Sequence, residues 1–119
     1  MDNLIIKDII INNIKYAVDI LGYSLIDKDW GNKVAQCACP LGCTIIVSGE
    51  RISEDFDVNQ KIISDTLGVS ENWICNFIMG YDGHQILDKY SEKYLPDEEA
   101  FNLGVEIRKE FSSIILEEY

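Results

Sequence analysis

Positive charge is what this sequence has least of. Ten Lys and Arg stand against 21 Asp and Glu, a formal net charge of -11 over 119 residues. Such a surface repels nucleic-acid phosphates and anionic membranes over about a Debye length, roughly 8 Å at physiological salt. Basic partners are favoured instead. Proline is nearly absent, at two residues, and with 47% hydrophobic residues and no low-complexity run the composition argues against a disordered tail or a mobile linker of any length. Histidine occurs once, at His84. The N-terminal run "NLIIKDIII" is broken by Lys7 and Asp8, so it has neither the basic flank of a signal peptide nor the roughly 20 apolar residues of a membrane span. The expectation is a cytoplasmic protein whose four cysteines are reduced thiols.

What is present suits one domain spanning residues 1–119, since a chain of this length buries about two-thirds of its unfolded surface. From Asp8 to Leu21, Ile10, Ile14, Ala17, Val18 and Leu21 recur at helical spacing and Gly22 supplies a stop, while the upstream "NLII" fits either another helical turn or a short strand. In "VAQCACPLGCTIIVSGE" the β-branched run Thr44 to Val47 favours a strand, with Pro40 in the turn of a small hairpin. The alternative puts Pro40 at the first position of a helix running to Ser48. "ERISEDFD", residues 50–57, reads as an acidic connection. A helix follows with Val58, Ile62, Ile63 and Thr66 or Leu67 on its apolar face, ended by Gly68. Ser70 caps the next, whose buried stripe is Trp73, Ile74, Phe77 and Ile78, stopped by "GYDG". Ile86, Leu87, Tyr90 and Tyr94 share one face of a further segment. The last helix has Pro96 near its start, Asp97, Glu98 and Glu99 at its positive end, and a stripe of Ala100, Leu103, Ile107, Phe111 and Ile114. The expected fold is mainly α, a compact bundle of about four to five helices with a small β-hairpin at most near residues 34–48.

"IISDTLGVSENWICNFI" resembles a helix-turn-helix at the residues that hold two helices together: Ile63, Ser64, Leu67, Gly68, Val69, Ile74 and Phe77. A DNA reader also needs base-edge donors and phosphate-neutralising cations. No Lys or Arg lies between Lys61 and Lys89, and only Asn72 and Asn76 on the second helix could read bases. Direct nucleic-acid binding is therefore disfavoured, and a helix-turn-helix regulator is the alternative reading. A longer pattern, "LGVSENWICNFIMGYDG" followed by "AFNLGVEIR", resembles one found in small uncharacterised bacterial and phage proteins, and it implies no activity. Within it Gly80 and Gly83 would permit a sharp helix exit. Gly104 inside the final helix costs about 1 kcal/mol relative to Ala unless another element packs closely there, so it is expected to mark a helix crossing.

"CACPLGC" groups Cys37, Cys39 and Cys43, which could bind zinc if Cys75 or His84 supplied a fourth ligand. The spacing argues against it, because structural sites pair their ligands in two knuckles and only one cluster exists here. A zinc- or thiol-dependent protein using Cys37, Cys39 and Cys43 is the second alternative. A Cys–His catalytic pair has no signature, no phosphate-binding glycine loop is present, and "DGHQILD" lacks the alternating oxygens of a calcium loop. No metal or cofactor is expected, and no enzymatic activity.

The reading that remains is a small acidic cytoplasmic binding module, like an inhibitor, immunity protein, antitoxin or phage protein, docking on a basic protein partner. Net charge of this kind speeds association with cationic surfaces. The acids expected at the interface are Glu54, Asp55 and Asp57 in one cluster and Asp97, Glu98 and Glu99 in another. Tyr81 and Asp82, at the tight turn, would add an aromatic anchor.

Overall fold

The computed structural model describes residues 2–85 and 93–116. Helix α1 (Asn3–Asp19) opens where Asp2 accepts the N–H groups of Leu4 at 2.9 Å and Ile5 at 3.0 Å. This cap makes "NLII" a first helical turn rather than a strand. Ile6, Ile10, Ile14 and Ala17 form its buried face.

Three two-residue strands follow, β1 (Ser24–Leu25), β2 (Gly31–Asn32) and β3 (Cys37–Ala38), in the order β1-β3-β2. β1 runs parallel to β3 with Ser24 opposite Cys37, and β2 runs antiparallel to it with Gly31 opposite Ala38. The hairpin thus lies earlier than expected, its turn at 33–36, and Pro40 is not in it. Pro40 is instead the first residue of α2 (Pro40–Val47), so Thr44 to Val47 is helical and not a strand. Burial explains the reversal: Thr44 and Ile45 are enclosed, α2 lies along α1, and the Thr44 hydroxyl donates to the Pro40 carbonyl at 3.2 Å. Tertiary packing here outweighs β-propensity, which spans only about 1 kcal/mol.

α3 (Phe56–Leu67) buries Ile63 and Leu67 as expected, but its other inward residues are Asn59 and Gln60. Val58 remains 45% exposed and Ile62 half-buried, so the helix is rotated from the face its apolar residues suggest. Asn59 closes a ring with Ser53, accepting its N–H and donating to its carbonyl, both at 2.8 Å. A satisfied buried amide is indistinguishable from a solvent-facing one in a hydropathy pattern. Gly68, at φ +68°, turns the chain, and Ser70 caps α4 (Glu71–Tyr81) by accepting the Trp73 N–H at 3.0 Å. Asp97 caps α5 (Glu98–Glu110) through the Ala100 N–H at 3.1 Å. The face drawn from Ile86, Leu87 and Tyr90 falls outside the described residues.

α4 and α5 form the most extensive helix pairing. A side chain at Gly104 would overlap the Phe77 carbonyl oxygen and sit 2.8 Å from the Tyr81 nitrogen, and one at Gly80 would overlap the Phe101 carbonyl. Gly104 is the crossing point the sequence suggested. Gly80 is the other half of the crossing rather than an exit, so α4 continues one residue past it, to Tyr81. Among the described residues the result is a mainly α fold of five helices with one small sheet, and no helix is long and apolar enough to cross a membrane.

Candidate functional site

Two of the acids expected at an interface do structural work. Asp97 caps α5, and Asp55 caps α3 by accepting the Asp57 N–H at 2.9 Å. Glu98 and Glu99 are exposed on the first turn of α5, where the helix dipole favours them. Tyr81 corrects its expectation: it is 2% exposed, and its hydroxyl donates to the Ile26 carbonyl at 2.8 Å. The ring belongs to the core and cannot anchor a partner on the surface. Asp82, just past α4, accepts the Lys28 N–H at 2.9 Å and is half-buried.

An exposed aromatic ring lies elsewhere. Phe56, 45% exposed at the start of α3, stands among Glu54, Asp55 and Asp57 and meets Trp30 edge-on, with ring centroids 5.6 Å apart and planes at 82°. A cavity of about 270 Å³ opens on one side of this pair, walled by Trp30, Phe56, Phe77 and Tyr81 and carrying Lys28, Asp29 and Asp82. A second hollow, of about 440 Å³, shares Asp29, Trp30 and Phe56 and adds Glu54. The fold therefore brings Glu54 from the first acidic cluster beside Asp29, with Asp82 across the aromatic pair. Nothing in either hollow comes from the second cluster, 97–99.

The loop carrying Trp30 is held at several points. Asp27 is fully buried and paired with Arg108 at 2.9 Å, and the same guanidinium nitrogen donates to the Tyr81 carbonyl at 2.8 Å. Lys28 takes φ +62°, a left-handed conformation that costs a non-glycine residue about 1–2 kcal/mol. Asp29 accepts the Trp30 N–H at 2.7 Å, and the Trp30 carbonyl accepts the Cys39 N–H at 3.0 Å. Gly42 is needed beneath it, since a side chain there would overlap the Trp30 carbonyl oxygen.

Burial pushes the Asp82 carboxyl above its ordinary range; the Lys28 N–H opposes this and the Asp27 charge adds to it. Asp82 and Asp29 take part in no ion pair among the described residues, where the pairs are Lys7–Glu106, Lys61–Asp65 and Arg108–Asp27. The Trp30 indole N–H is likewise buried without an acceptor among the described residues.

Two of the three thiols of "CACPLGC", Cys39 and Cys43, are buried. Burial pushes Cys39 up to about 12, against the pull of the Gly42 N–H that its Sγ accepts at 3.3 Å, and burial also raises Cys43. Both are neutral at physiological pH, whereas the thiolate is the nucleophile and metal ligand. Among the described residues no hydrogen bond joins the exposed His84 to a thiol, and no group of three or more His, Cys, Asp or Glu could hold a metal ion.

The two asparagines of the helical corner are also engaged. Asn76 is fully buried, donating to the Asn72 and Leu95 carbonyls at 2.9 Å and accepting the Asp97 N–H at 3.0 Å. Asn72 accepts the Leu95 N–H at 2.7 Å. Both clamp the approach to α5. Sequence reasoning missed Phe56 and Trp30 because neither belongs to an apolar period; the available signal was a lone aromatic inside the acidic "ERISEDFD". The chain matches no protein-family model, no curated protein and no solved structure, so the reading of this cleft rests on its own chemistry.

Proposed function

We propose that this chain is a small acidic cytoplasmic binding module without catalytic activity, of the inhibitor, immunity-protein, antitoxin or phage-protein kind, that docks on a basic protein partner. The observation that carries this reading is Phe56: a half-exposed ring that meets Trp30 edge-on, shares a hollow with Glu54 and Asp29, and is flanked in sequence by Asp55 and Asp57. Buried aromatic anchors commonly contribute 2 kcal/mol or more at an interface, whereas exposed rim charges contribute about 1 kcal/mol or less each. The ring would supply affinity and the acids would supply rate and selectivity for cations. The engagement of Asn72 and Asn76 within the fold weighs against the DNA-reading alternative, and the raised Cys39 and Cys43 weigh against the thiol one.

The test is a tagged pull-down from nuclease-treated lysate of the source organism, washed at low and then high salt. One basic protein captured stoichiometrically, weakened by salt and released by reversing Glu54 and Asp57 to Lys, supports the reading. No enrichment at either salt, or capture indifferent to these reversals, removes it.

A further inference from the structure

We propose that the Trp30–Phe56 cleft receives an arginine side chain of the basic partner; this rests on the docking reading above and specifies what enters the site. The walls carry the argument. Trp30, Phe56, Phe77 and Tyr81 line a cavity of about 270 Å³, at the small end of ligand sites and suited to one side chain. Asp29 and Asp82 line the same cavity, and neither is in an ion pair among the described residues. Rings together with carboxylates form a receptor for a cation, and of these four rings Phe56 is the exposed one while Trp30, Phe77 and Tyr81 are buried behind the surface.

Guanidinium fits these walls better than ammonium. It is planar, weakly hydrated and stacks on rings while donating through a fork to a carboxylate, so less hydration is lost on entering a half-enclosed space. The chain already uses this pairing once, holding Arg108 against the carboxylate of Asp27 with its guanidinium carbon 5.8 Å from the Tyr81 ring centroid. Lys28 is the opposing feature. Lys28 also lines the cavity, and its positive charge opposes an arriving cation, so its removal strengthens binding.

The experiment titrates the full-length ¹⁵N-labelled chain with N-acetyl-arginine amide, the lysine analogue and the neutral isostere citrulline. The two tryptophan indole N–H resonances are followed and assigned with Trp30→Phe. The arginine analogue should shift the Trp30 indole saturably, with a midpoint of about a millimolar, and leave Trp73 in place. Citrulline should bind about tenfold more weakly, as should arginine to Asp82→Asn, which keeps an acceptor for the Lys28 N–H. Lys28→Met should tighten binding by about twofold.

Equal responses to arginine and citrulline, or a linear drift of both indoles, would overturn the proposal. If a basic partner is captured through Phe56 while the arginine analogue leaves Trp30 unmoved, the arginine site is wrong and the docking reading survives. If the analogue saturates but no partner is captured, the guanidinium preference of the cleft stands and the docking reading fails.

Discussion

The α4–α5 crossing and the Trp30–Phe56 cleft are built from opposite kinds of surface. At the crossing, Gly80 and Gly104 let backbone meet backbone, and the neighbouring Phe77, Ala100, Leu103 and Ile107 are enclosed. Every group there has a packing role. At the cleft a ring is left half-exposed and Lys28 holds a left-handed backbone, and among the described residues Asp29 and Asp82 are in no ion pair and an indole N–H has no acceptor. Packing explains the first region completely and the second only in part. The groups that folding leaves unused are where binding is to be sought.

Substitutions can break this contrast. The largest effect is expected at Arg108→Met, which removes the guanidinium paired at 2.9 Å with the buried Asp27 beneath the Trp30 loop. Removing one partner of a buried pair costs about 3–5 kcal/mol, to be read from urea unfolding. A variant as stable as the native chain would show that the loop is not held by this pair. Gly104→Ala comes next. Ala gains about 1 kcal/mol in helix propensity, but its Cβ must push α5 off the Phe77 carbonyl, so a net loss of about 1–3 kcal/mol is expected. A higher melting temperature would disprove the close crossing.

Much of the crossing was legible in the sequence. Ser70 as a cap, the acids 97–99 at the positive end of α5, the stripes of α4 and α5, and Gly104 as a contact point all follow from local rules that agree with one another. Elsewhere the local rules conflict. The β-branched Thr44–Val47 lies in a helix because burial against α1 decides it, and α3 turns Asn59 inward because Ser53 satisfies its amide. Tyr81 looked exposed because Gly80 resembles a helix stop while serving as a crossing residue. The cleft was the least legible region. Its acids showed as charge, but Trp30 and Phe56 are distant in sequence and meet only in the fold.

A smaller effect, of opposite sign, is expected at Asp82→Asn. Burial raises the Asp82 carboxyl, so the folded chain binds its proton more tightly than the unfolded chain, and the charged form opposes folding. Stability then falls as pH rises from the ordinary Asp range through the raised one. The variant should be slightly more stable at neutral pH, with the difference vanishing at acidic pH where Asp82 is protonated in both states. Paired unfolding curves across that range would show it, and a less stable variant at neutral pH would mean that Asp82 is needed to hold the Lys28 loop.

The most direct test combines unfolding and capture in Phe56→Ala. Because the ring is half-exposed and touches Trp30 by its edge, its loss should cost about 1 kcal/mol of stability or less, well short of Arg108→Met. Retention of the basic partner in the salt-washed pull-down should nevertheless be abolished. If Phe56→Ala unfolds as readily as Arg108→Met, or captures the partner undiminished, Phe56 is a packing residue and the cleft is not the docking site.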